Sequence, residues 1–272
     1  MTGNRPWTAP PPSGTRILDY LLGDGGNVTS DRQLADLAQR MVPDIGLVVR
    51  LNRMFMRRAV THVMAAGVRQ FLDLSAGTTA VGNVHEVAQA IDPACRVVYV
   101  HTDPISVVHT EQLLGGAERA VVFEADPRDS QNVMSVCGDE GLLDLTAPIG
   151  LLMVAVLESV PHASDLVRMV AGYRERIAPG SHLVISHFTG DHRPAETTAV
   201  VELMRASPTP IYQRTYEEVS RLFTGFELLA PGVVDAGRWY PERPLDPAEQ
   251  LAATQFHVGV GRKPEPLSRR SV

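Results

Sequence analysis

The chain has 272 residues, with 25 Lys and Arg against 31 Asp and Glu, a formal charge of −6, 21% charged and 44% hydrophobic residues. That balance belongs to a globular chain with a sizeable core and excludes global disorder. Two cysteines, Cys95 and Cys137, exclude a disulfide scaffold and a four-cysteine zinc site; no apolar run reaches the ~20 residues of a membrane span, and no basic block points to nucleic acid.

Residues 1–14 are rich in Pro, Gly, Ser and Thr and read as a flexible tail without the apolar core of a signal peptide. Residues 15–66 read as helical. Thr29-Ser30-Asp31 offers caps before an amphipathic run, Gln33–Met41, that stops at Pro43. A second helix runs from about Ile45 to Ala65, with Val48, Leu51, Phe55, Ala59 and Val63 at three- and four-residue spacing.

From Val68 the period shortens. Gln70–Leu74 predicts a strand, His85–Ile91 a helix, and Arg96–Val100 a second strand followed by His101-Thr102-Asp103-Pro104. A helix over Ile105–Leu114 stops at Gly115-Gly116, and Ala120–Glu124 is a third strand. Ile149–Val156 is a fourth, Ser164–Ile177 a helix capped by Ser164, and Ser181–Ser186 a fifth strand. Thr215–Leu222 is helical; Phe226–Leu229 and Gln255–Gly261, with only a loop between, read as a terminal antiparallel hairpin. Residues 263–272 form a second polar tail. Strands alternating with helices, and apolar on both faces, predict one α/β domain over 67–262 with a mostly parallel sheet, behind a helical N-terminal extension or lid.

In such a sheet ligands bind beyond the carboxyl ends of the strands. The first strand ends in Asp73-Leu74-Ser75-Ala76-Gly77-Thr78-Thr79, whose small residues allow close backbone approach or serve a tight turn; the dinucleotide and Walker spacings are absent. Asp103 suits a ribose or, equally, the cap of the next helix with Pro104 in its first turn. Asp126 suits an adenine amino group or a turn with Pro127. No metal site is expected: His182, His187 and His192 lack ligand spacing, and His85-Glu86 lacks a second histidine. No Gly-x-Ser-x-Gly elbow marks a hydrolase.

Several segments together are distinctive. Arg16-Ile17-Leu18-Asp19-Tyr20-Leu21-Leu22-Gly23, then Asn27 and Ser30-Asp31-Arg32, form one block; Asn52-Arg53-Met54-Phe55 forms another. Gly67–Asp73, Asn83–Gln89, Val97–Val100 with Asp103-Pro104, and Ala178–His187 complete the set. The chain resembles, over about residues 15–262, the actinobacterial S-adenosylmethionine-dependent methyltransferase family formerly described as a domain of unknown function. The resemblance implies a Rossmann-like class I methyltransferase fold. It implies S-adenosylmethionine over the first loop, near Asp73, Ser75, Gly77, Thr79, His101, Thr102, Asp103, Asp126 and Ala155, with Arg53 and the Tyr20 segment covering the site.

Where the family reads Asp-Ile-Gly-Thr-Gly, this chain has Ser75 for the first glycine. Where it reads Asp-Asn-Asp-Pro, it has His101, so the ribose carboxylate is missing. Where it reads Leu-His-Phe, it has Leu157-Glu158-Ser159. The expected function is methyl transfer to a small molecule, as in secondary metabolism, with Glu158 and His187 as candidate bases and Tyr20 as an orienting group. The alternatives are a methyltransferase fold turned to another reaction, such as cyclisation of a natural-product intermediate, or a non-catalytic binding protein. A cytoplasmic setting with reduced cysteines is expected, and a homodimer stays open.

Overall fold

The computed structural model describes residues 10–75, 82–162 and 164–265. Three helices come first: α1 (Gly14–Leu21), α2 (Thr29–Met41) and α3 (Ile45–Ala65). Then follow β1 (Gln70–Asp73), α4 (Val84–Ile91), β2 (Arg96–His101), α5 (Pro104–Leu114), β3 (Ala120–Glu124), α6 (Ser130–Asp139) and β4 (Gly150–Val154). After a turn of 3-10 helix at Leu157–Ser159 come α7 (Leu166–Arg176), β5 (His182–Phe188), α8 (Pro194–Arg205) and α9 (Tyr216–Arg221). The chain closes with β6 (Glu227–Leu228), β7 (Val234–Asp235), α10 (Pro247–Ala253) and β8 (Phe256–Arg262). Among the described residues, no helix is long and apolar enough to cross a membrane.

The strands lie in the order β3-β2-β1-β4-β5-β8-β6, with β7 also against β8. The five strands from β3 to β5 run parallel, and β8 runs antiparallel to β5. Their side chains alternate between two buried layers, as the period of two requires. Phe71, Val97, Tyr99, Leu152 and Val184 face the layer that holds α1, α2 and α3. Leu72, Val98, Leu151, Met153, Leu183 and Ile185 face the layer that holds α6 and α7. Helix α3 packs on the sheet itself. Its Phe55, Met56, Ala59, Val60 and Val63 are fully buried in the first layer, so the helical segment and the sheet share one core.

β4 starts where Gly150 meets Phe71 of β1. A Cβ on Gly150 would stand 2.4 Å from the Phe71 ring, too close for any side chain.

The end of the chain departs from the predicted hairpin. β8 lies between β5 and β6, and the connection from β6 carries β7 and α10. The cause is burial. β8 is apolar enough to pair with β5 along seven positions, His182↔Arg262 to Phe188↔Phe256, while the two-residue, exposed β6 takes the edge. Helix α7 begins at Leu166 with Asp165, not Ser164, as its cap: the carboxylate accepts from Arg168 N–H at 3.0 Å. Helices α6, α8 and α10 were not anticipated. Helix α10 carries a clear signal, the Asp246…Glu249 capping box before Pro247. Helix α6, behind its Asp129 cap, mixes the helix formers Gln131 and Met134 with Ser130, Asn132, Val133, Ser135, Val136, Cys137 and Gly138, which weaken the signal. Cys95 and Cys137 are free and buried; burial raises both thiols, Cys137 to about 12, which leaves them unreactive.

Helix α1 spans two turns and half of its four buried residues, Arg16 and Asp19, are polar. Arg16 holds it. The guanidinium is 2% exposed and donates from Nε to Asp31 of α2 at 2.8 Å, to the Asp103 carboxylate at the head of α5, and to the Pro11 carbonyl. Asp31 in turn accepts from Ser13 N–H at 2.9 Å and Val28 N–H at 2.8 Å. Removing one partner of a buried charge pair leaves the others uncompensated. Arg16→Met should therefore lower the unfolding free energy by about 3 kcal/mol, the low end of the usual range because Asp103 is 19% exposed. A fall in the urea midpoint checks this, and Asp31→Asn in the same chain should recover part of it.

Candidate functional site

The carboxyl ends of β1, β2, β4 and β5 converge with the inner faces of α1, α3 and α8. At the end of β1, Asp73 is buried and accepts from Ser75 N–H at 2.9 Å. Burial pushes its carboxyl up; the Ser75 contacts and the Arg53 charge oppose this. Arg53 reaches over from α3 and donates to Asn83 Oδ1. Burial lowers its pKa against the pull of Asp73, Tyr99 and Asp19. Ser75 needs no left-handed backbone: among described non-glycine residues only Ala155 and Tyr240 have positive φ. Its Oγ accepts from Val154 N–H at 3.0 Å and so ties β1 to β4. Gly77 and Thr79, also expected at the cofactor, lie outside the described residues, as do Ala76 and Thr78.

At the end of β2, His101 is buried, with Nε2 3.0 Å from Thr110 Oγ1 on α5. Burial pulls its pKa down to about 4, so the ring is neutral near pH 7. Thr102 follows at the wall of a chamber described below. Asp103 caps α5, accepting from Ser106 N–H at 3.2 Å and from its hydroxyl at 2.7 Å, and pairs with Arg16. Burial alone would raise that carboxyl, but Ser106 and Arg16 outweigh it and hold it below the usual range. Asp126, after β3, is clasped by Arg128, whose Nε and Nη2 both reach it, the latter at 2.6 Å; this pair lowers its pKa. Each carboxylate considered for the nucleoside thus has a partner in the protein.

Between these ends and α1, α3 and α8 lies a chamber of about 220 Å³. Its walls are apolar, with Ile17, Leu21, Val48, Val200, Met204 and Phe256 among them. Ala155, at φ 51, and Val156 form its floor beside Glu158. Among the described residues, Glu158 is the one ionisable residue that lines the chamber. Its Oε1 accepts from Phe188 N–H at 2.8 Å, and its Oε2 is buried with no partner among the described residues. Burial raises the carboxyl to about 7; the backbone N–H groups and Arg214 oppose the rise.

The other two candidate catalytic residues are elsewhere. His187 sits on β5 in alternation with Leu183 and Ile185, so it faces the layer opposite the chamber. It is fully buried; Nε2 accepts from Arg214 Nη1 at 3.0 Å while Nδ1 lies 2.9 Å from the Phe188 carbonyl. Burial drives its pKa to about 3. Tyr20 leans outward to Asp36 of α2 at 3.0 Å and is not part of the chamber wall.

Sequence reasoning did not single out Arg214, which also donates to the Leu157 and Val160 carbonyls behind Glu158; a lone loop arginine gives no signal. Nor did it single out Asp19 as a site residue. Asp19 is 1% exposed, and its Oδ1 has no partner among the described residues. Burial, then Asp24, lift its carboxyl well above the usual range, while Arg53 opposes. Asp19, Asp24 and His109 bring ligand-type atoms within 4.8 Å of one another, but Asp24 already pairs with His109 at 2.9 Å.

A carboxyl raised to about 7 in the fold holds its proton where the unfolded chain, near 4.5, has lost it. Its contribution to stability is complete below about pH 4.5 and lost as pH rises through 7. The buried, neutral His101 and His187 act in the opposite sense, favouring the fold as pH rises from 4 to 6.5. The wild type minus Glu158→Gln difference in unfolding free energy isolates the carboxyl. It should fall by roughly 3 kcal/mol between pH 4.5 and 8, measured by urea denaturation across that range.

Residues 5–264 match the family described as S-adenosyl methyltransferase. A solved structure described as that of a candidate methyltransferase from Thermobifida fusca YX is 34% identical, with 94% of this chain and 96% of that chain covered and a TM-score of 0.87. A DUF574 family protein from Streptomyces avermitilis MA-4680 is 33% identical, with 93% and 98% covered and a TM-score of 0.86. No curated protein matches the chain. The mostly parallel sheet with its antiparallel C-terminal strands is the class I methyltransferase architecture expected from the sequence.

Proposed function

The chain belongs to the S-adenosyl methyltransferase family, and on that premise we propose that it moves a methyl group from S-adenosylmethionine to a small molecule seated in the apolar chamber. One observation carries the reading: a half-open, largely apolar chamber, with Glu158 the one ionisable residue of its described lining, stands at the strand ends where this architecture meets its ligands. S-adenosylmethionine supplies a methyl group already activated on a sulfonium. The protein then has to align an acceptor, exclude water and receive a proton.

The residues suit the amino-acid end of that molecule. Arg53 offers a guanidinium for its carboxylate. Asp19, with its unpartnered Oδ1, and Asp73 offer carboxylates for its ammonium. Thr102 and Ala155 flank the sheet ends where the nucleoside belongs, and Asp126 is the group nearest in chemistry to an adenine partner. The sugar end differs, since His101 replaces the carboxylate that would accept from both ribose hydroxyls. That replacement, tied to Thr110, favours as a second reading a fold that keeps its chamber and has given up methyl transfer.

Calorimetric titration with S-adenosylhomocysteine separates the two. The proposed function expects micromolar binding by the wild type and about tenfold tighter binding by His101→Asp, the worth of one charge-assisted hydrogen bond. No binding by the wild type, with binding gained in His101→Asp, overturns it in favour of the second reading.

A further inference from the structure

One side of the chamber hangs on a single carboxylate. Val200 and Met204 of α8, and Thr209 and Ile211 after it, line that side. The segment that supplies them leaves β5 through Asp191 and ends where α9 begins at Tyr216. Asp191 Oδ2 accepts from Tyr216 N–H at 2.9 Å, so one oxygen brings both ends of the segment together. The same oxygen accepts from Nε2 of His257 on β8 at 2.9 Å. Across the ring, His257 Nδ1 faces Asp235 Oδ1 of β7 at 3.6 Å. Held between two carboxylates, the buried ring needs two protons. A neutral imidazole carries one N–H and turns a lone pair on the second carboxylate; an imidazolium offers an N–H to each. The other groups around it come from three elements. His187 of β5, its cross-strand neighbour, is neutral, with Arg214 on its Nε2. His192, half exposed on the loop that carries Asp191, stands 3.4 Å from Asp235 Oδ1. Tyr216 of α9 presents its ring edge, with centroids 5.7 Å apart.

We infer that His257, as an imidazolium between Asp191 and Asp235, is a proton-operated clasp on this wall of the chamber. With the proton in place, Asp191 is held between β8 and α9, and residues 191–216 stay seated against the sheet. When the proton leaves for solvent, one carboxylate meets a lone pair and the wall opens more often. The link to α8 is short. Thr197 Oγ1 donates to the Thr189 carbonyl at 3.0 Å and accepts at 2.9 Å from Nε2 of Gln255, two residues before His257. Burial pulls the pKa of His101, His182 and His187 down. Burial alone would lower that of His257 too, but Asp235 and Asp191 outweigh it and raise it. A raised pKa in the closed state means that closure is favoured below the ordinary histidine value and weakens as pH rises through the raised one.

Two measurements on the full chain test the clasp. The first is an NMR titration of the imidazole nitrogens in nitrogen-15-labelled protein, with His257→Gln identifying the His257 signals. His257 should titrate above 6.5, with both nitrogens protonated below its midpoint. The second is amide hydrogen exchange, read by mass spectrometry at pH 6 and 8.5 and normalised to the intrinsic rate at each pH. From the lower to the higher pH, protection over residues 194–216 should fall about threefold or more beyond any fall over β1 and β4, as a local opening requires. In His257→Gln that protection should already be low at pH 6, and the two regions should respond to pH alike. Asp191→Asn keeps an acceptor for Tyr216 N–H and removes the charge, so it should abolish most of the extra pH dependence. A His257 midpoint below 6.5 overturns the inference. So does a wild type whose wall and central strands lose protection in step, or an extra loosening of 194–216 that persists in both variants.

Discussion

One buried guanidinium sets the geometry of the site. Helix α1 is too short, and too polar on its inner face, for apolar contact alone to fix it. Arg16 ties it to α2 through Asp31 and to the head of α5 through Asp103. The side chains that roof the chamber, Ile17, Leu18 and Leu21, lie within two turns of that anchor. The same pair fixes what lies beyond β2. Asp103 caps α5 and neutralises Arg16 together, so its carboxylate is committed to the scaffold at the position where a ribose ligand was one of two readings. Holding the roof and binding the sugar compete for one acid, and the structure shows it engaged with the roof.

Burial acts alike on the two side chains read as candidate bases, and their hydrogen bonds set them apart. Glu158 and His187 are both withdrawn from water, and each is driven towards its neutral form. Glu158 keeps one carboxylate oxygen, itself buried, without a partner among the described residues. His187 has both ring nitrogens engaged, on the far side of the sheet. A buried base with its lone pair already occupied cannot accept a further proton without breaking that bond. A buried acid with an unpartnered oxygen still has one position to be satisfied. Strand alternation fixes His187: odd positions of β5 face one layer and even positions the other.

Much of the architecture was legible because parallel strands buried on both faces leave continuous apolar runs. Helix α3 was read from Ile45 to Ala65, where it is found, because its apolar spacing is long and regular. The end of the chain was harder. The place of β8 between β5 and β6 is a matter of pairing partners, which no local pattern encodes. Of the site, Glu158 and the strand-end positions were visible as departures from a family pattern. The partners that decide what those residues can do were not. Thr110 for His101, Arg214 for His187 and Arg16 for Asp103 are separated from them by 9, 27 and 87 positions. Only the fold brings them together.

The contact of Gly150 with Phe71 bears on how this sheet can change over time. The phenyl ring occupies the volume of the missing Cβ at the start of β4. Neither position can drift alone: a side chain at 150 collides with the ring, and a smaller residue at 71 opens a void between two central strands. The two sites therefore form one inherited unit, in which a change at either becomes tolerable only after the other has moved. The middle of the sheet is bound by such reciprocal constraint, as Ser75 and Val154 are by a hydrogen bond where β1 and β4 end.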